Sequence, residues 1–258
     1  MMFYKTKHKI TFLTTLLFFA ASSYVFANKK DDLKTIFYTA GAMYEYGEYD
    51  EAIKEYNKII EKGFESGAIY YNLGNCYFKK GKLGKALLNY EKAKRLIPRD
   101  SDLESNYKYA RSLVKGGFIK DKRSWLIRFT DKIFKNFTID ELSILLSCLY
   151  IIILAVIILS LYVRLIRKYR LAIIAVVIFV FLLTLLSFYH KVSLLGKEAI
   201  VVKENTDAKF EPLKSATSYF TLYEGMKVTI VKRQGEWCKI KRIDGKTGWV
   251  KMNAIEIF

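Results

Sequence analysis

Histidine is nearly absent from this 258-residue chain: only His8 and His190 occur. His8 falls in an N-terminal segment with the layout of an export signal, and His190 closes an apolar run. No Ser/His/Asp set can therefore be assembled in the mature chain. Cysteine is scarce and scattered, with Cys76, Cys148 and Cys238 far apart. That set gives no C-x-x-C and no metal-ligand spacing. Cys76 reads as a small buried hydrophobe, with a Cys76–Cys238 disulfide as the alternative in an oxidising compartment. The Gly245-Lys246-Thr247 tripeptide is not a phosphate-binding loop, because Ile240 stands where that motif needs its first glycine. Carboxylates are plentiful, but they sit on solvated faces such as "GEYDEAIKEY", and none falls in an apolar pocket that would mark a general acid. The Asn136-Phe137-Thr138 glycosylation sequon is set aside as chance. The net charge of +18 is spread along the chain with no dense basic stripe, which argues against nucleic acid as a partner. What remains is a non-enzymatic chain with no expected cofactor or metal.

What the chain does hold is a repeat. Shifting by 34 residues lays Ala40 on Gly74, Gly47 on Gly81, Ala52 on Ala86 and Tyr56 on Tyr90. A fixed period of that size marks stacked helix–turn–helix units. Antiparallel helices cross closely only where one side chain is small, so Gly74 is expected to face Ala86, with Tyr70, Leu73, Tyr77 and Tyr90 around them. Pro98 ends the second helix. Tyr70, Leu73-Gly74, Tyr77, Ala86, Tyr90, Ala93 and Pro98 resemble the tetratricopeptide repeat. The first unit (33–66) departs from it, with Ile36 and Met43 for aromatics and Phe64 for the proline. The second (67–100) fits, and a capping helix (101–115) follows an Asp/Ser N-cap pair. The repeat domain spans 28–118, an α-solenoid of about two and a half units, near the lower limit for stability.

The apolar residues are clumped. Residues 1–27 carry Lys5, Lys7 and Lys9 before an apolar run and a Val25-Phe26-Ala27 cleavage pattern, the layout of a signal peptide; an uncleaved anchor is the alternative. Residues 142–163 and 171–189 are uncharged and apolar, about 33 and 28 Å as helices, enough to cross a core of about 30 Å. The connection 164–170, "RLIRKYR", has four positive charges and no negative one, which marks it as a cytoplasmic loop. The repeats and everything after His190 then lie on the extracytoplasmic side. The basic linker 119–141 carries Trp125, Ile127, Phe129, Ile133, Phe134 and Phe137; it reads either as a helix lying in the membrane interface or as a linker helix packed on the repeats.

Residues 195–258 change character to short β-branched and aromatic runs broken by turns. Asp244-Gly245 between two such runs is a hairpin signal, and about five strands are expected. "LYEGMKVTIVKRQGEWCKIKRIDGKTGWVKMNAIEIF" resembles the bacterial SH3-like domain, with Trp237, Gly245, Gly248 and Trp249 as its skeleton. The fold class is thus multi-domain: an all-α repeat solenoid, a transmembrane helical hairpin and a small all-β barrel.

Two binding surfaces follow. The groove of the repeats should be lined by Phe37, Gly41 and Tyr44, then Tyr71, Asn75 and Phe78, with Tyr109 on the cap; aromatic anchors with a polar group suit an extended peptide or helix. On the barrel, Tyr219, Tyr223, Trp237 or Trp249 could stack on a glycan or peptide, Trp249 being the better core residue. The order of signal peptide, repeats, two membrane helices and barrel resembles the BatE-type proteins of the Bacteroides aerotolerance (Bat) group. That resemblance implies a two-pass bacterial inner-membrane scaffold associated with envelope integrity or oxidative stress. Its implied partners are von Willebrand factor A-domain Bat proteins and a MoxR-type ATPase. A wall-binding sensor, whose barrel grips peptidoglycan, is the alternative.

Overall fold

In a computed structural model that describes residues 32–116 and 121–258, helices come first and strands last. The signal-peptide reading lies outside the described residues. Contacts divide the chain into two units at Glu65/Ser66, and each is taken by itself.

The first unit holds α1 (residues 32–45) and α2 (Tyr49–Glu61). Leu33, Ala40, Ala52, Ile53, Tyr56 and Ile59 are its buried residues. The turn closes with Gly47 N–H donating to Tyr44 O and Glu48 N–H to Met43 O. Gly47 supplies the positive φ of 81° that this cap needs. Where repeats of this kind use proline after the second helix, α2 stops at Gly63, also at positive φ.

In the second unit, α3 (Gly67–Lys79) and α4 (Leu83–Leu96) form the better repeat and α5 (Ser101–Ser112) its cap. Gly81 and Lys82 repeat the cap of Gly47 and Glu48, donating to Phe78 O and Tyr77 O. Ser66 caps α3 and Asp100 caps α5, each accepting from a backbone N–H three residues on. A Cβ at Gly74 would stand 2.4 Å from the Tyr90 ring, so the small residue makes room for one of the aromatics expected around the crossing, and Ala86 is fully buried in the same core.

After α6 (Trp125–Ile133) come α7 (Ile139–Tyr162) and α8 (Arg164–Leu194), packed antiparallel. Both are long and apolar enough to cross a membrane. Thr138 and Glu141 start α7 with a reciprocal capping box. The segment 164–170, expected to be a loop, is instead the first two turns of α8. A single extended residue, Val163, makes the turn. Arg167 stabilises it by donating to Ser160 O and Leu161 O at 3.1 and 2.6 Å, which satisfies carbonyls at the end of α7.

The C-terminal sheet has seven antiparallel strands rather than five: β1 (Glu198–Val201), β2 (Asn205–Lys209), β3 (Ser218–Tyr223), β4 (Lys227–Gln234), β5 (Trp237–Lys241), β6 (Thr247–Lys251) and β7 (Ile255–Ile257). Their order is β3-β2-β6-β5-β4-β1-β7. Val201, Leu222, Val228, Ile240 and Val250 fill the interior.

This sheet sits directly on α4. Gly84 N–H donates to Glu224 Oε1 at 2.8 Å, and a Cβ on Gly84 would lie 2.6 Å from Val201 O. Gly225 approaches the Leu87 and Val114 side chains as closely. Around this contact runs a charged chain. Lys227 Nζ lies 3.1 Å from Glu91 and 2.8 Å from Glu198, Arg95 lies 2.9 Å from Glu198, and Tyr107 O–H donates to Glu91 at 2.6 Å. The Phe258 ring lies 4.3 Å from the Arg95 guanidinium and 5.0 Å from the Lys227 ammonium.

The other end of α5 and α6 holds the hairpin. Glu104 joins Lys94 and Lys135 at 2.9 and 2.7 Å, and Arg99 joins Glu141 at 2.9 Å. Second repeat and barrel are therefore at the same end of the hairpin, the end opposite Val163.

Candidate functional site

On α3, Tyr71, Asn75 and Phe78 recur at helical spacing on one half-buried face, while Ile69, Tyr70, Leu73 and Cys76 turn into the core. The cap helix α5 brings Asn106 and Tyr109 beside them. Asn106 Nδ2 donates to Tyr71 Oη at 2.9 Å and to Asn75 Oδ1 at 3.1 Å. Asn75 Oδ1 also accepts from Tyr90 O–H at 2.7 Å. Asn75 is thus built into the fold through its oxygen, and the amide Nδ2 is the side that can reach a ligand. Phe78 and Tyr109 meet edge to face at 5.7 Å, and Tyr109 is 61% exposed. Sequence reading missed Asn106, although its i, i+3 spacing to Tyr109 places both on one face of α5.

In the first unit, Phe37 packs edge-on against Tyr56 at 5.6 Å, and Tyr44 lies 5.5 Å from Tyr49. Both are half-buried, and Gly41 lies close to the Tyr56 hydroxyl. Each aromatic there already has a packing partner within its own helix pair.

The barrel corrects the sequence reading. Trp237 and Trp249 are each only 8% exposed, and Tyr223 is half-buried against Gly116. Tyr219 is exposed, stacked 4.6 Å from the equally exposed Phe210. A cleft of about 250 Å³ opens on the barrel, and neither Tyr219 nor Phe210 lines it. Trp237 forms part of its wall, and Lys203, Lys209, Lys214 and Lys251 surround it with Asp207 as the one carboxylate in the lining. Lys203 is steadied by Asn253 at 3.1 Å, and Asp207 by Ser218 and Thr221, each at 3.1 Å. The buried Thr206 Oγ1 has no partner among the described residues. Lys251 is already paired with Glu236 at 3.6 Å and Lys209 donates to the Lys214 carbonyl; the lysine-rich lining beside Trp237 still suits a ligand that carries anionic oxygens on a carbon skeleton.

The titratable groups serve structure. Burial pushes the Cys76 thiol up to about 12 and the Cys238 thiol up to about 11. Both are free and buried in separate cores, so neither forms the considered disulfide nor offers a thiolate. Burial pushes Glu91 up, but the Lys227 charge and the Tyr107 hydroxyl more than offset this, so its pKa is lowered. Lys227 is lowered by burial and raised further by Glu91 and Glu198, for a net rise.

Two family models match the chain. The tetratricopeptide repeat covers residues 67–100, and the bacterial SH3 domain covers residues 210–256. No curated protein matches it. The first module typically binds proteins, the second points to the cell wall, and both are typically non-catalytic. Fold and matches together show a chain with a tetratricopeptide repeat, an apolar helical hairpin and a C-terminal bacterial SH3 domain.

Proposed function

We propose that the protein is a non-enzymatic, membrane-anchored adaptor of the bacterial envelope. Its hairpin spans the cytoplasmic membrane with the basic turn inside, and the repeats and barrel stand on the extracytoplasmic side. The observation that carries this reading is the seating of the barrel on α4. It occupies one side of the second repeat and leaves the α3/α5 face, with Tyr71, Asn75, Phe78 and Tyr109, for a protein partner; Phe37 and Tyr44 of the first unit, taken by itself, are a separate candidate contact. In keeping with the Bat-type resemblance, the partners are von Willebrand factor A-domain membrane proteins acting with a MoxR-type ATPase in envelope integrity or oxidative-stress tolerance. A photo-crosslinking residue at Tyr109 in the membrane-embedded protein tests this. Adducts with such proteins support it, and adducts only with unrelated proteins refute the assignment.

The lysine-lined cleft favours a second reading, in which the barrel grips peptidoglycan and the protein senses the wall. Retention of the detergent-solubilised protein on purified sacculi, lost on Lys203→Glu with Lys251→Glu, would favour it. No retention removes it.

A further inference from the structure

Helix α6 divides its side chains in a way that neither repeat nor barrel explains. Thr130 is buried, and Asp131 faces Arg123 at 2.8 Å and His190 at 3.3 Å. Lys191 Nζ donates to Phe134 O and Phe137 O at 2.9 and 2.6 Å, which clamps the end of α6 onto α8. His190 and Lys191 directly follow the apolar stretch of α8, so α6 is fixed at the level where that stretch ends. Its outward arc holds Trp125, Phe129 and Ile133 at i, i+4 and i+8, exposed by 67%, 46% and 46%. Arg128 and Lys132, both exposed, flank that stripe on the same arc. The sequence-level apolar set is thus split: Phe134 is buried and Ile127 half-buried, while three apolar side chains are left uncovered. Tyr189, 70% exposed, stands at the same level on α8.

We propose that α6 lies in the headgroup layer of the outer leaflet and selects anionic lipid. The apolar stripe, from Trp125 to Ile133, is a two-turn row about 12 Å long, on a helix that Asp131 and Phe134 join to His190 and Lys191 at the end of the apolar stretch of α8. Its aromatic members sit where Trp and Tyr anchor membrane proteins. Arg128 and Lys132 reach from the same arc toward phosphates, as in helices that bind anionic surfaces. This rests on the reading that the hairpin is membrane-embedded.

The experiment uses the full chain in nanodiscs of phosphatidylcholine, alone or mixed with phosphatidylglycerol, with brominated acyl chains as depth quenchers of tryptophan. Trp237 and Trp249 are buried in the barrel, so the difference between the native protein and Trp125→Phe isolates Trp125. In the anionic discs, brominated lipid should quench most of the Trp125 signal and dissolved acrylamide should reach little of it. Arg128→Glu with Lys132→Glu should remove most of that quenching. Trp125 open to acrylamide in both lipids overturns the proposal; equal quenching in both lipids overturns the lipid selection. Resistance to alkaline extraction, measured in parallel, reports the hairpin separately. If the double variant fails to fold, seen as altered emission from the barrel tryptophans, the native protein in the two lipids decides alone.

Discussion

Replacing Lys227 with Met tests whether the barrel and the repeat are one body. The ammonium is 30% exposed and lies 3.1 Å from Glu91 and 2.8 Å from Glu198. At an effective dielectric of about 20, these pairs are worth roughly 5 and 6 kcal/mol before desolvation. Desolvation of three charges removes most of that, but deleting only the cation leaves the Glu91 carboxylate without its nearest cation, while Glu198 keeps Arg95 at 2.9 Å. The cost of breaking such a pair is about 3–5 kcal/mol when fully buried, and the partial exposure here puts it near the lower bound, about 3 kcal/mol. Native-state hydrogen exchange at β4 and α4 should then speed up roughly a hundredfold, at 1.4 kcal/mol per factor of ten. Glu91→Gln alone keeps its bond with Tyr107 and should cost about 1 kcal/mol. Added to Lys227→Met it removes the stranded charge, so the double variant should be more stable than the sum of the two singles by about 1–2 kcal/mol. Additivity within about 0.5 kcal/mol, or an unchanged exchange rate in Lys227→Met, would refute the reasoning. The pH dependence follows from the directions. The depressed Glu91 contributes above its ordinary value of 4.5 and is lost as pH falls through its lowered pKa. The raised Lys227 contributes below 10.5 and is lost as pH climbs through its raised pKa.

Gly84→Ala should improve helix propensity yet weaken the seat of the barrel by about 1–3 kcal/mol, because the new methyl meets the backbone of Val201; exchange should rise at β1 and not in α3. Gly81→Ala, forced to φ 70°, should lose about 1–2 kcal/mol of thermal stability. Burial pushes the Glu104 carboxyl up, and hydrogen bonds from Lys135 and Lys94 bring it down to about 2. Its contribution is complete above 4.5 and lost as pH falls through about 2, which carboxyl NMR titration would show as a late-titrating group. Arg167→Ala should free the last carbonyls of α7 and raise exchange at the Val163 turn, with no change in the barrel.

The repeat was legible because its constraint is local and periodic: a close helix crossing demands a small residue, and the 34-residue shift exposes it. Tyr90 was legible as one of the aromatics around the crossing, but that it comes closest to Gly74 was not, since both Ala86 and Tyr90 lie on the facing helix and only the crossing geometry sets the distance. The hairpin tip was misread as a loop because charge announces topology, not conformation, and Arg167 can cap the helix before it while lying in the helix after it. The strand count fell short of seven because several strands are brief, β1 and β7 being four and three residues long, too short to alternate visibly. Trp249 was read as the better core residue and is buried, whereas the burial of Trp237 was not legible, because composition does not tell which side of a strand meets the core. The charged seam was invisible for a simpler reason: Glu91 and Lys227 are 136 positions apart.

That separation has a consequence for how the molecule is made. The surface of α4 bearing Gly84, Leu87 and Glu91 is synthesised well before its cover, since Lys227 follows Glu91 by 136 positions. At about 5–20 residues per second, ribosomal elongation leaves it waiting for about 7–27 s. For that interval the nascent solenoid carries an open flank, which closes only when the barrel has been threaded back to meet it.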